Sequence, residues 1–176
     1  MILYINACVR KESRTRKLAE KLISTLDGNV EEVKLSAISF PTVDEEFLAR
    51  RDRMEGDFSL ARQFAAADII VIAAPYWDLS FPAVLKTWLE QVNVVGITFR
   101  YSPEGIPVGL CKAKKLYYVM TAGGNYVPEE FGFGYVKALA QGYYGIQDCE
   151  LIKAVGLDIE GADAEKIMRE CMRSIK

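Results

Sequence analysis

Histidine is absent from this chain of 176 residues. That gap excludes Ser-His-Asp and Cys-His hydrolysis and removes the commonest transition-metal ligand, so any catalysis falls to a cofactor or to another kind of group. The cysteines, Cys8, Cys111, Cys149 and Cys171, form no C-x-x-C pair. Their spacing supports neither a disulfide framework nor a zinc site, and most of them read as buried thiols. No apolar run approaches the roughly 18 residues that a membrane span requires, and the opening stretch Met1 to Ala7 has no basic leader. A cytosolic protein without a membrane partner is expected. Charge bias is lacking too: 22 Lys and Arg stand against 24 Asp and Glu, a net charge of −2. That balance leaves no broad footprint for nucleic acid.

What is present begins with a hydrophobic content of 51%, enough to fill one core, and the length predicts a single domain over residues 1–176. Three apolar segments, Ile2 to Ala7, Asp68 to Ala74 and Lys115 to Thr121, read as strands buried on both faces. Val30 to Leu35, which alternates polar with apolar, and the short Glu150 to Val155 fit outer strands. Helical patterns lie between them, at Thr15 to Leu26, parts of Asp44 to Ala67, Pro82 to Val94, Tyr135 to Tyr144 and Asp163 to Ile175. Alternation of this kind predicts an α/β fold, a doubly wound five-stranded parallel sheet with helices on both faces and ligands beyond the strands' carboxyl ends. The stretch Thr98 to Gly109, punctuated by Pro103, Gly105, Pro107 and Gly109, breaks the rhythm and reads as a turn-rich excursion.

The loop after the first strand gathers Arg10, Lys11, Arg14, Arg16 and Lys17 against the lone Glu12, at the start of a helix. Cations are unfavourable at a helix N-terminus, and a bound anion reverses that penalty. Backbone N–H groups, the hydroxyls of Ser13 and Thr15 and the nearby guanidinium groups together make a phosphate cradle. The plainer reading is that Ser13 or Thr15 caps the helix and the cations are solvated. Cys8 to Thr15 also fits C-x5-R-[ST], similar to the phosphate loop of low-molecular-weight tyrosine phosphatases. There Cys8 would be the nucleophile, its pKa lowered by the cations, and Arg14 would grip the phosphate. The loop lacks glycine, however, and the chain has no Asp-Pro dipeptide to supply that family's general acid.

The third strand runs into Pro75-Tyr-Trp-Asp-Leu-Ser-Phe-Pro82, whose adjacent aromatics offer a flat face and free backbone donors to a heteroaromatic ring. The alternative for Tyr76 and Trp77 is simple packing beneath the loop. The fourth strand ends in Thr121-Ala-Gly-Gly-Asn-Tyr126, where paired glycines let the backbone approach a ligand or take positive φ. These three loops are expected to converge on one ligand.

From Pro75 to Leu110, PYWDLSFPAVLKTWLEQVNVVGITFRYSPEGIPVGL resembles the FMN-dependent NADH-azoreductase and NAD(P)H quinone reductase family of flavodoxin-like proteins. Thr121 to Gly124 is similar to the family's T-R-G-G loop, and Gly145 to Asp158 to its G-I-x-D-x-E segment, so the likeness spans essentially the whole chain. It implies a flavodoxin-like fold and an FMN site in which Ser13, Arg14 and Thr15, helped by Arg10, hold the phosphate. Pro75, Tyr76, Trp77 and Asp78 would line the isoalloxazine, and Thr121, Ala122, Gly123 and Gly124 would hydrogen-bond its pyrimidine side. Tyr126 and Phe131 would form a substrate wall or lid, against the plainer reading of packing under a loop.

The resemblance further implies a homodimer in which NADH or NADPH reduces the flavin and a quinone-like, azo or related aromatic acceptor is then reduced. The flavin carries the chemistry, and no protein side chain is expected to be catalytic. Departures from the family pattern fall at Cys8, Trp77, Asp78 and Ala122. An acidic Asp78 beside the ring would lower its potential or alter acceptor choice. A flavodoxin-type electron carrier without turnover of its own is the third reading.

Overall fold

In the computed structural model, which describes residues 1–175, strands and helices alternate along the chain. They run β1 (Ile2–Asn6), α1 (Arg14–Ile23), β2 (Val30–Lys34), α2 (Glu45–Asp52), α3 (Ser59–Ala66), β3 (Ile69–Ala73), α4 (Ala83–Val92), β4 (Phe99–Tyr101), β5 (Pro107–Gly109), β6 (Lys115–Thr121), α5 (Phe133–Leu139), β7 (Asp148–Ala154) and α6 (Ala164–Ser174). Five strands form one parallel sheet in the order β2-β1-β3-β6-β7. That is the flavodoxin-like order, with its switch point between β1 and β3.

Why the sheet is doubly wound is visible in β1, all of whose residues are buried. Successive side chains of a strand point to opposite faces. Leu3 and Ile5 accordingly join a core with Phe64 of α3 and Leu85 and Trp88 of α4. Ile2 and Tyr4 join a second core with Leu18 and Leu22 of α1 and Met168 of α6. A strand apolar on both sides needs a helical layer on each. Among the described residues no helix is long and apolar enough to cross a membrane.

The sequence-based boundaries need adjustment at several points. The helix expected to reach Leu26 ends at Ile23, where the Ser24 hydroxyl turns back to donate to the Lys21 carbonyl at 2.7 Å. The Asp44 to Ala67 stretch holds two helices, parted where Met54 and Gly56 take positive φ of 57° and 153°. Asp44 caps the first of them by accepting from the Phe47 amide at 2.8 Å. The excursion at Thr98 to Gly109 is more ordered than its prolines and glycines suggest. It is an antiparallel hairpin pairing Phe99 with Gly109 and Tyr101 with Pro107. Buried Thr98 anchors it by donating its hydroxyl to the Val92 carbonyl at 2.7 Å.

Gly109 shows what holds this hairpin to the body. A Cβ there would lie 2.2 Å from the Tyr144 carbonyl carbon and 2.3 Å from the Gly145 nitrogen, both backbone atoms that cannot swing aside. Gly109→Ala is therefore expected to destabilise the fold by roughly 2–3 kcal/mol, as overpacking does, and to lower the urea midpoint. An unchanged midpoint would show that the hairpin is not docked in this way.

Candidate functional site

The register of the central strands sets Asn6, Ala73 and Val119 side by side, so the loops following β1, β3 and β6 start from one edge of the sheet. They enclose a cleft of about 370 Å³, within the usual size range for small-molecule sites. Of the twelve residues anticipated for cofactor binding, ten line it. Arg10, Ser13, Arg14 and Thr15 come from the first loop, Pro75, Tyr76 and Trp77 from the second, and Thr121, Ala122 and Gly123 from the third. Asp78 and Gly124 lie outside the lining, as do Tyr126 and Phe131, which stand 79% and 57% exposed.

At the start of α1 the capping reading and the anion reading both find their groups. Ser13 is the N-cap, and its hydroxyl accepts from the Arg16 amide at 3.2 Å. Thr15 is buried, and its hydroxyl is paired with that of Thr121 at 2.6 Å, tying the first loop to the third. The amides of Arg14 and Thr15 belong to the first turn, where a helix supplies no acceptors of its own. No acidic residue stands in that turn to offset the positive end of the helix. Arg14 donates to Asp158 at 2.7 Å and Lys17 pairs with Glu12 at 3.0 Å, while Arg10 and Lys11 have no carboxylate partner among the described residues.

Cys8 does not have the surroundings of a nucleophile. It is buried outside the cleft lining, with its thiol 3.8 Å from the Ala73 carbonyl. Burial pushes its pKa up, outweighing the opposing pull of Ser13 and Arg16. The expectation of a lowered thiol pKa, and with it the phosphatase reading built on Cys8 and Arg14, is corrected: the sequence shows the nearby cations, but the side chain points into the core between α1 and the sheet.

The second loop is held in a single shape. The Tyr76 amide donates to the Thr121 carbonyl at 3.0 Å, and the Tyr76 hydroxyl donates to the Pro128 carbonyl at 3.0 Å. Trp77 and Ser80 exchange backbone hydrogen bonds of 2.9 and 2.8 Å around Asp78 and Leu79, which both have positive φ, 50° and 67°. A pair of left-handed residues closing such a bridge is the mirror-image hairpin turn, which favours Asn-Gly over Asp-Leu. The turn carries Asp78 to an exposed tip. There it stands outside the cleft lining, one residue beyond Trp77.

The third loop is joined to the loop that follows β7. Ala122 donates to Ala154, Leu157 to Ala122, Asp158 to Gly123 and Gly156 to Gly124, at 3.0–3.2 Å, all backbone to backbone. Neither Gly123 nor Gly124 has positive φ. The lack of a side chain at Gly123 serves another end: a Cβ there would sit 2.5 Å from Oδ2 of Asp158. Leu157 and Asp158 therefore complete the cleft, together with Val9 and Glu12. Sequence reasoning missed these four as site residues. For the β7 pair the only signal was their place just past the carboxyl end of a fifth strand.

The buried hydroxyl pair of Thr15 and Thr121 gives this geometry a direct test. Thr121→Val leaves the partner hydroxyl unsatisfied and is expected to cost about 1–2 kcal/mol in urea denaturation, whereas the double Thr15→Val, Thr121→Val variant should cost less than either single change. Additive losses would contradict the pairing.

Comparison with known proteins places this geometry in a family. Residues 1–176 match the protein family described as having a flavodoxin-like fold. The FMN-dependent NADH:quinone oxidoreductase 2 of Clostridium acetobutylicum is 38% identical, the alignment covering 99% of this chain and 96% of that protein. The FMN-dependent NADH:quinone oxidoreductase of Clostridium beijerinckii is 35% identical over 99% and 96%. The crystal structure of an azoreductase from Bacillus anthracis str. Sterne superposes with a TM-score of 0.81 at 25% identity, covering 99% of this chain and 95% of that one. With a family match over its full length and relatives aligned end to end, this chain belongs to the flavodoxin-like family that includes FMN-dependent NADH:quinone oxidoreductases and azoreductases.

Proposed function

We propose that this chain, working as one domain over residues 1–176, is an FMN-dependent NAD(P)H oxidoreductase that passes two electrons to quinone-like, azo or related aromatic acceptors. One observation carries the reading. A single cleft joins a helix N-terminus with open amides and two guanidinium groups, Arg10 and Arg14, to a loop bearing Tyr76 and Trp77. Its donors suit a phosphate at one side and its half-buried aromatics suit a planar ring at the other. The relatives' names point to the same cofactor, a nicotinamide donor and the same acceptors.

When bound, FMN supplies a ring that takes two electrons from a nicotinamide and yields them to an acceptor. The side chains and backbone have a different task. The amides of Arg14 and Thr15, with Arg14 and Arg10, would hold the phosphate, and the Ser13 cap and the Thr15–Thr121 bond keep that turn in place. Pro75, Tyr76, Trp77 and the stretch Thr121 to Gly123 would line the ring. Tyr126 and Phe131 are exposed, Phe131 accepting from Ser80 of the second loop and Tyr126 lying two residues before Pro128, which accepts from Tyr76; both would meet an acceptor entering over that loop.

Exposure of those two aromatics and of Leu79, 44% exposed, supports a homodimer that covers them. All four cysteines are free, which suits a reducing cytoplasm.

Purified protein titrated with FMN is expected to bind it saturably at micromolar concentration or below and to oxidise NADH or NADPH when menadione is supplied. Flavin uptake without nicotinamide turnover would instead make the protein an electron carrier. Light scattering should return about twice the 19.7 kDa of one chain; a monomer at working concentration would refute the dimer.

A further inference from the structure

Asp158 is an odd residue to find in the wall of a cleft meant for a phosphate. Its carboxylate accepts from Nη1 of Arg14 at 2.7 Å, across 144 positions of sequence. The contact uses one nitrogen, which leaves the other donors of the guanidinium fork unused by this carboxylate.

The backbone that carries this carboxylate is held in place. The Asp158 amide donates to the Gly123 carbonyl at 3.0 Å, and the neighbouring Leu157 amide donates to Ala122 at 3.2 Å. Residue 123 is glycine, and a Cβ there would lie 2.5 Å from Oδ2 of Asp158. Arg14, by contrast, sits in the first turn of α1, where the helix dipole disfavours a cation and no acidic residue of that turn restrains it. Left to itself, a side chain with that many rotamers would swing toward solvent.

Resting on the flavin reading above, we infer that Asp158 is a positioning residue for the cofactor phosphate: it pins Arg14 across the cleft so that the free edge of the guanidinium is already turned toward a phosphate at the α1 N-terminus. The gain is preorganisation, since the arginine no longer has to be ordered when the ligand arrives. It is a gain specific to phosphorylated flavin. Riboflavin, which has the same ring and ribityl chain, would have no group for Arg14 to meet.

Both side chains are partly open to water, 45% for Arg14 and 68% for Asp158, so the effect is moderate. Flavin fluorescence quenching with FMN and with riboflavin, on the full chain and on D158N, R14Q and the double variant, tests it. FMN affinity should fall about three- to fivefold in D158N, while riboflavin affinity moves less than twofold. R14Q should lose at least as much for FMN, and adding D158N to it should cost nothing further.

Tighter or unchanged FMN binding in D158N would overturn the inference, because relief of repulsion would then outweigh or cancel the pinning. So would an equal loss for both flavins, which would mark a general loop defect, or losses that multiply in the double variant. Should the unaltered protein take up neither flavin, the cofactor reading fails and takes this inference with it. Saturable FMN uptake that is indifferent to Asp158 sinks the inference alone.

Discussion

Parallel pairing of strands that are apolar on both sides is the constraint on which the rest of the molecule depends. Such strands admit no tight hairpin between neighbours, so each connection must cross over a face and return to the same starting edge. The order β2-β1-β3-β6-β7 then sends the chain from β1 outward in both directions. Helices α1 and α6 fall on one side and α3, α4 and α5 on the other. A crevice at the carboxyl edge between β1 and β3 follows from that reversal, before any side chain has been chosen for it.

Electrostatics decides what the crevice is suited to hold. A run of cations at a helix N-terminus is unfavourable by itself, and the chain offsets it only in part. Lys17 pairs with Glu12, Arg16 lies 3.7 Å from Glu20, and Arg14 reaches over to Asp158. Arg10 and Lys11 remain without a carboxylate among the described residues. The Ser13 hydroxyl accepts from the Arg16 amide and keeps its own proton to donate, and the Thr15 hydroxyl is bonded to that of Thr121. Both bonds brace the turn at which backbone amides and arginines would face an anion.

The parts legible in the sequence were those set by short-range physics. Continuous apolar runs announced β1, β3 and β6 because both of their faces are buried, and the alternating β2 showed itself as an edge. The β4–β5 hairpin was hidden, since its strands are three residues long and flanked by the prolines and glycines that normally mark loops. Cys8 was misleading for a related reason: cations near in sequence suggest a thiolate, and only packing reveals that the thiol faces the core. For Asp158 the sequence offers only a place just past the carboxyl end of β7. Its meaning lies in Arg14 and Gly123, which the fold alone brings to it. The outward turn at Asp78 and Leu79 was equally obscure, because Asp-Leu does not advertise two left-handed residues.

The joining of the loop after β6 to the loop after β7 reaches beyond the cleft itself. β7 is the outermost strand on its side, where a sheet breathes most readily. Because Leu157 and Asp158 extend directly from it, any fraying of that margin loosens the floor under a bound molecule. A ligand resting on the inner loops would therefore slow amide exchange along β7, a strand none of whose residues lines the cleft.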